Sequence, residues 1–218
     1  PISSASTFLR DPRLAAAAAA VEPTWLWSID ATRVVWANAA AAALLGAANV
    51  NELLQRRFAP NDRAATEVVR LAASLSQVGA PRLERLRGFG TGFLRLLTAT
   101  CARITLADGT QGILIAGAEV IGHALPLAER ARRLFEGDEE ELAVFAPDGA
   151  LVFATPSARQ RMANTTTLVA FNANALANEA LFAGSATGET LAGTASMTRI
   201  GQDASKLLVV RFGAPCTA

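Results

Sequence analysis

The chain has 218 residues, 51% of them hydrophobic and 18% charged, with 20 basic against 19 acidic side chains and a formal net charge of +1. That is apolar material for one large core or two small ones. The near-neutral balance gives no global attraction to nucleic acid or to an anionic membrane.

Asp11-Pro12 sets an N-cap acceptor before a proline at the first helical position, which predicts a helix running to about Val21. There Pro23 pushes Glu22 out of the helical region. The apolar run at 14–21 is far shorter than the ~20 residues of a membrane span, and no signal peptide is recognisable. Pro1 in place of a methionine suggests a piece of a longer protein. Next, "TWLWSIDATRVVWANAAAAALLG" (24–46) reads as two short strands around a turn, then an alanine-rich helix stopped at Gly46. Trp25 and Trp27 share one face of the first strand, and Leu26 and Ser28 the other. The tryptophans are either core anchors against helices or, for one of them, an outer-face support for a docked helix or a second copy.

A short helix is expected at 49–54. Asn61 is expected to cap a longer one, with Ala65, Val68, Ala72, Leu75 and Val78 on its apolar side. After Gly79 the period shortens to two. Leu94, Leu96, Ala102, Ile104 and Leu106 fall in one strand register, with Arg95 and Arg103 in the other. Asp108-Gly109 marks a turn, and "QGILIAGAEV" returns as a buried strand. Residues 124–135 read as a linker helix with a Glu129/Arg133 pair. The acidic "EGDEEE" then marks a boundary. From 141 the pattern begins again: Phe145 takes the place of Trp27, Asp148 of Asp30, Phe153 of Trp36 and Thr155 of Asn38. "ETLAGTASMTRI" and "KLLVVRF" supply two closing strands. A repeat of this length indicates duplication of a small fold.

Strand, turn, strand ending "WAN", helix ending "LLG", a long helix and three antiparallel strands resemble the PAS domain. Asp30, Val34, Trp36, Asn38, Ala40, Leu45 and Gly46 carry the resemblance. It implies an α+β fold of two PAS-like units, each an antiparallel sheet with short helices on one face, joined by a helix. The divisions are then an N-terminal helix at 1–23, a first unit at 24–121, a linker at 122–140, a shorter second unit at 141–213 and a tail at 214–218. The tandem arrangement is similar to the N-terminal region of alphaproteobacterial sensor histidine kinases. It implies a non-catalytic, cytoplasmic input module, a homodimer, and a small ligand or a protein partner. The alternative is a scaffold for protein–protein contacts with no small-molecule ligand. Residues 11–21 and 124–135 are expected to couple input to output.

Chemistry is sparse. His123 is the only histidine, which excludes a two-histidine metal site and a conventional Ser/His/Asp set; it reads as a solvent-facing linker residue. The resemblance implies no haem, since the long helix has no histidine, and no photoactive flavin, since Cys101 is strand-like. Cys101 reads as a small buried apolar group. With Cys216 in the tail, two cysteines make no disulfide framework, which favours a reducing compartment. Gly88, Gly90 and Gly92 match no phosphate loop and read as a hairpin tip. Arg82, Arg85 and Arg87 read as a solvated strand face, and the carboxylates at 138–141 as mutually repelling and hydrated. No catalytic residue, metal ligand or cofactor is assigned.

Overall fold

The computed structural model describes residues 5–76, 80–90 and 96–213. A 3-10 segment, Ala5–Arg10, leads into α1 (Pro12–Ala18), where the Asp11 side chain accepts from the Arg13 N–H as expected of an N-cap. The helix ends three residues before Val21, at Ala18, with Ala19 as its C-cap. The first unit then follows in order: β1 (Thr24–Ser28), β2 (Val34–Ala37), α2 (Ala39–Leu44), α3 (Val50–Gln55), α4 (Arg63–Ser74), β3 (Arg82–Leu86), β4 (Leu97–Thr105) and β5 (Gln111–Gly117). The linker helix is α5 (Leu127–Phe135). Beyond it lie β6 (Leu142–Phe145), β7 (Leu151–Ala154), α6 (Pro156–Arg161), a 3-10 turn (Leu168–Phe171), α7 (Asn174–Ala183), β8 (Ser185–Thr190), β9 (Gly193–Ile200) and β10 (Leu207–Phe212).

The fold is α+β, with two five-stranded antiparallel sheets ordered β2-β1-β5-β4-β3 and β7-β6-β10-β9-β8. The two opening hairpins share one register. In the first hairpin Trp25, Leu26 and Trp27 face Ala37, Trp36 and Val34, with a bulge between Leu26 and Trp27. In the second, Ala143, Val144 and Phe145 face Ala154, Phe153 and Leu151, with the bulge between Val144 and Phe145. The closing turn of the first hairpin is organised by Asp30, whose Oδ1 accepts from the Ser28 and Thr32 hydroxyls and the Thr32 N–H. Those hydrogen bonds, led by the one from Ser28, hold its carboxyl below the usual range.

Four readings of the sequence need correction. Asp62, not Asn61, caps α4, accepting from Ala64 N and Ala65 N. The buried stripe of that helix is Ala64, Ala65, Val68 and Leu71, and Val78 lies outside the described residues. In β4 the inward residues are Leu97, Ala99 and Cys101, whereas Leu96 is exposed; Leu94 and Arg95 lie outside the described residues. Finally, "ETLAGTASMTRI" is not one strand. Chain reversal at Leu191-Ala192 divides it between β8 and β9, so three strands follow α7 rather than two.

Both faces of the second sheet are covered. Ala143, Phe145, Met197, Leu208 and Val210 pack with Ala158, Leu176 and Ala180 of α6 and α7. Leu142, Val144, Ile200, Leu207 and Val209 point the other way, into a core shared with Phe8, Leu9, Leu14, Leu134 and Phe135 and with the first unit. The N-terminal segment and α5 therefore form a helical layer between the two units.

Candidate functional site

In the first unit, Trp25 and Trp27 lie on the helix-covered face of β1. Trp25 stacks tilted on Phe89 at 5.1 Å, and Trp27 on Phe58 at 4.5 Å. The Trp25 indole N–H donates to Ala41 O at 3.2 Å, while the equally buried Nε1 of Trp27 has no hydrogen-bond partner. Trp36 pairs with Leu26 and so occupies the opposite face, yet it too is fully buried in the shared core. Both expectations for the tryptophans are thus met within one chain: two anchor the helices, and the third supports the layer that docks outside.

That layer is tied to its surroundings by polar groups at its ends. Asn38, fully buried, caps α2 by accepting from Ala41 N at 2.9 Å, and it also accepts from Thr24 N at 3.2 Å. Its Nδ2 donates to Glu22 O at 2.8 Å and to Ala17 O, on α1, at 3.0 Å. Arg13 reaches Thr105 O on β4. On the side of the second unit, Gly201 N donates to Ala15 O at 2.9 Å. Arg211 on β10 donates to Ser6 O and pairs with Glu140 at 3.2 Å, and the Ser6 hydroxyl donates to that same carboxylate at 2.9 Å.

Arg130 is the hub. It is 6% exposed, and its Nη1 donates to Ala19 O at the end of α1 and to Ser205 Oγ of the second unit. One guanidinium thus touches the N-terminal helix, the linker helix and the second unit. Burial pushes the pKa of Arg130 down from its ordinary value, opposed by the charge of Glu22. Burial lowers that of Arg211 as well, opposed first by Glu140. Carbonyl oxygens at a helix C-terminus, where the macrodipole is negative, suit such a cation.

The sequence carried a signal for both arginines that its reading passed over. Arg130 falls on the apolar stripe of α5, at helical spacing from Leu127 and Leu134. Arg211 alternates in phase with Leu207 and Val209 along an otherwise apolar strand. Thr155 stands where Asn38 does: its Oγ1 accepts from Leu142 N and Ala158 N and donates to Glu140 O. The register makes Leu142 the counterpart of Thr24, and Glu140 that of Glu22.

The other candidates are dispersed. His123 is exposed in the connection before α5. Cys101 is fully buried, and burial pushes its thiol up to about 12. Gly88 is more than a hairpin tip: at φ +81 it lies so close to α4 that a Cβ would meet Arg63 Cβ at 2.5 Å. Gly92 lies outside the described residues. Arg82 shares Glu84 with Arg70, while Arg85 and Arg87 are exposed. The acidic run is not merely hydrated, since Glu140 pairs with Arg211 and Glu141 with Arg161 at 2.5 Å. Among the described residues no cluster of His, Cys, Asp and Glu could hold a metal ion, and no helix is long and apolar enough to cross a membrane.

Depressions open on the surface among the described residues. One of about 350 Å³ lies beside Leu44, Phe89, Gly90 and Ile121. A larger one of about 760 Å³ lies between the N-terminal segment and the β8–β9 side of the second sheet.

No family model matches the chain, and no curated protein matches it. Among solved structures, an extracellular ligand-binding receptor from Desulfohalobium retbaense shares 13% identity over 88% of this chain and 30% of its own, with a TM-score of 0.27. The extracellular domain of the histidine kinase soHK1S-Z6 shares 15% over 60% of this chain and 47% of its own, at 0.26. The periplasmic domain of Vibrio cholerae LuxQ shares 14% over 88% and 71%, also at 0.26. The chain thus spans less than half the length of the first two. All three are extracellular or periplasmic, which points away from the cytoplasmic location expected from the cysteine count. The physical reason is that a chain whose core closes around a free, buried Cys101 needs no disulfide, so its cysteine usage does not report a compartment.

Proposed function

We propose that the chain is a non-catalytic sensory input module of a larger signalling protein, of the sensor histidine kinase kind that its opening motif resembles. The observation that carries this reading is the helical layer between two sheets of equal topology, held from both sides by Asn38, Arg130 and Arg211. Binding that shifts one unit changes the seat of α1 and α5 and biases the other. This is a population shift between two arrangements of a packed layer.

Asn38→Thr tests the relay. Thr155 shows that a threonine in this register keeps the cap, the strand N–H and the carbonyl two residues before the strand. What it cannot keep is the tie to Ala17 O. If the layer relays, hydrogen exchange of the Gly201 amide, across the junction on Ala15 O, speeds up in this variant. A change confined to the first unit refutes the relay.

A second reading, a scaffold that binds protein through its surface, is favoured by Val169 and Leu191. Both are large, exposed apolar residues, and the Leu191 N–H, next to the edge strand β8, donates to Phe171 O, two residues from Val169. Native mass spectrometry separates the two readings. A retained small mass supports a ligand module, whereas a bare homodimer supports the scaffold.

A further inference from the structure

The larger depression is lined by the N-terminal segment, by the α7–β8 junction and by the stretch from β9 to Lys206, and its lining holds three cations: Arg10 from the N-terminal 3-10 segment, Arg199 from β9, and Lys206 ahead of β10. Asp203 is the one carboxylate among the lining residues. At about 760 Å³ its size is that of a small-molecule site.

Arg13, Arg56, Arg70, Arg132 and Arg161 each hold a carboxylate. Among the described residues Arg10 and Lys206 hold none, and Arg199 spends Nη1 on Leu181 O, a neutral carbonyl. Lys206 is also the single lysine in a chain with 20 basic residues. Three like charges gathered around one cleft repel one another unless an anion joins them. Thr198, Ser185 and Gln202 stand beside them as hydrogen-bonding side chains.

We propose that this cleft binds a small polyanion, carrying phosphate or carboxylate groups, that bridges the N-terminal segment to the second sheet. Its floor is the Gly201 N–H to Ala15 O bond, so an occupant clamps α1 against the second unit at the seam where the two already meet. The proposal deepens the input-module reading by giving it a ligand class, and it rests on that reading only for the consequence of binding. Failure of the Asn38→Thr exchange test would leave the cleft intact, and failure to bind would leave the relay intact.

The test is calorimetry on the full chain at low ionic strength, with pyrophosphate and citrate as probes and amide shifts followed by NMR. One site per chain is expected, with shifts centred on Gly184, Gly201 and Gln202. Removing one charged contact in Arg10→Gln or Lys206→Gln is expected to weaken binding roughly tenfold or more. Arg85→Gln, on the exposed edge of the other sheet, removes the same charge and is expected to leave affinity unchanged. Tighter pyrophosphate assigns a phosphate ligand, and tighter citrate a carboxylate. Saturable binding of neither probe overturns the proposal. So does equal weakening by Arg85→Gln, which means diffuse attraction, and so do shifts centred elsewhere. Coincident thermal melts of the variants verify the fold, and Lys206→Gln alone suffices should Arg10→Gln disturb it.

Discussion

Replacing Asn38 by alanine removes four hydrogen bonds from a fully buried position. Loss of the cap on α2 costs about 1 kcal/mol. The buried Thr24 N–H and the half-buried Glu22 carbonyl then lose that partner, at about 1 to 3 kcal/mol each. Ala17 O still accepts from Ala20 N at 3.1 Å, so little is lost there. The sum is a loss of about 3 to 7 kcal/mol, a large part of a typical domain's stability. Asn38→Thr should recover most of it and end within about 1.5 kcal/mol of the parent, since only the bond to Ala17 O is missing. Asn38→Asp should do no better than alanine, because it presents a carboxylate oxygen to two carbonyl oxygens. Urea denaturation followed by tryptophan fluorescence gives all three midpoints. A threonine variant as unstable as the alanine one would refute the claim that Asn38 and Thr155 do equivalent work.

Gly88→Ala should destabilise more than Gly46→Ala. Both adopt positive φ, at about 1 to 2 kcal/mol for an L-residue, but at Gly88 the new Cβ also meets the α4 backbone, with Ala64 N at 2.8 Å, while at Gly46 it meets nothing. Equal midpoints in urea would contradict the close approach. The Cys101 thiol, pushed up to about 12 from 9.0, should resist alkylation in the native protein at pH 8 and react at once in denaturant. Because the unfolded thiol ionises first, stability should fall as pH rises from about 9 toward 12, and Cys101→Ala should flatten that limb. The Arg132 guanidinium, with that of Arg133, pulls the Glu129 carboxyl down to about 2 from 4.5. Its contribution to α5 is therefore present above pH 4.5 and lost as pH falls toward 2, and Glu129→Gln should remove that part of the acid dependence in circular dichroism.

The duplicated hairpins were legible because aromatic, asparagine and alanine positions in register have few alternative explanations. The strand β8 was not. "SATGET" buries only Ala186, as suits an edge strand, while Leu191, just after it, sits 78% exposed in the turn and imitates a strand position. The inward register of β4 was misread because Leu96 and Leu97 are adjacent, and the residues that follow are too small to decide between them. Asn61 and Asp62 are both capping types, so only geometry distinguishes them. Hardest to foresee was the place of α1. An alanine-rich helix has no strong face, and the Gly201 N–H that seats it on the second sheet lies more than a hundred residues away.

That last placement has a consequence for synthesis. Ser6 and Arg211 are 205 residues apart, so at ribosomal rates of about 5 to 20 residues per second the N-terminal segment emerges roughly 10 to 40 s before the strand that receives it. During that interval the first sheet can close while its outer tryptophan, Trp36, still lacks the cover that the second sheet completes. Nascent chains halted before β10 are then the species most exposed to misassociation.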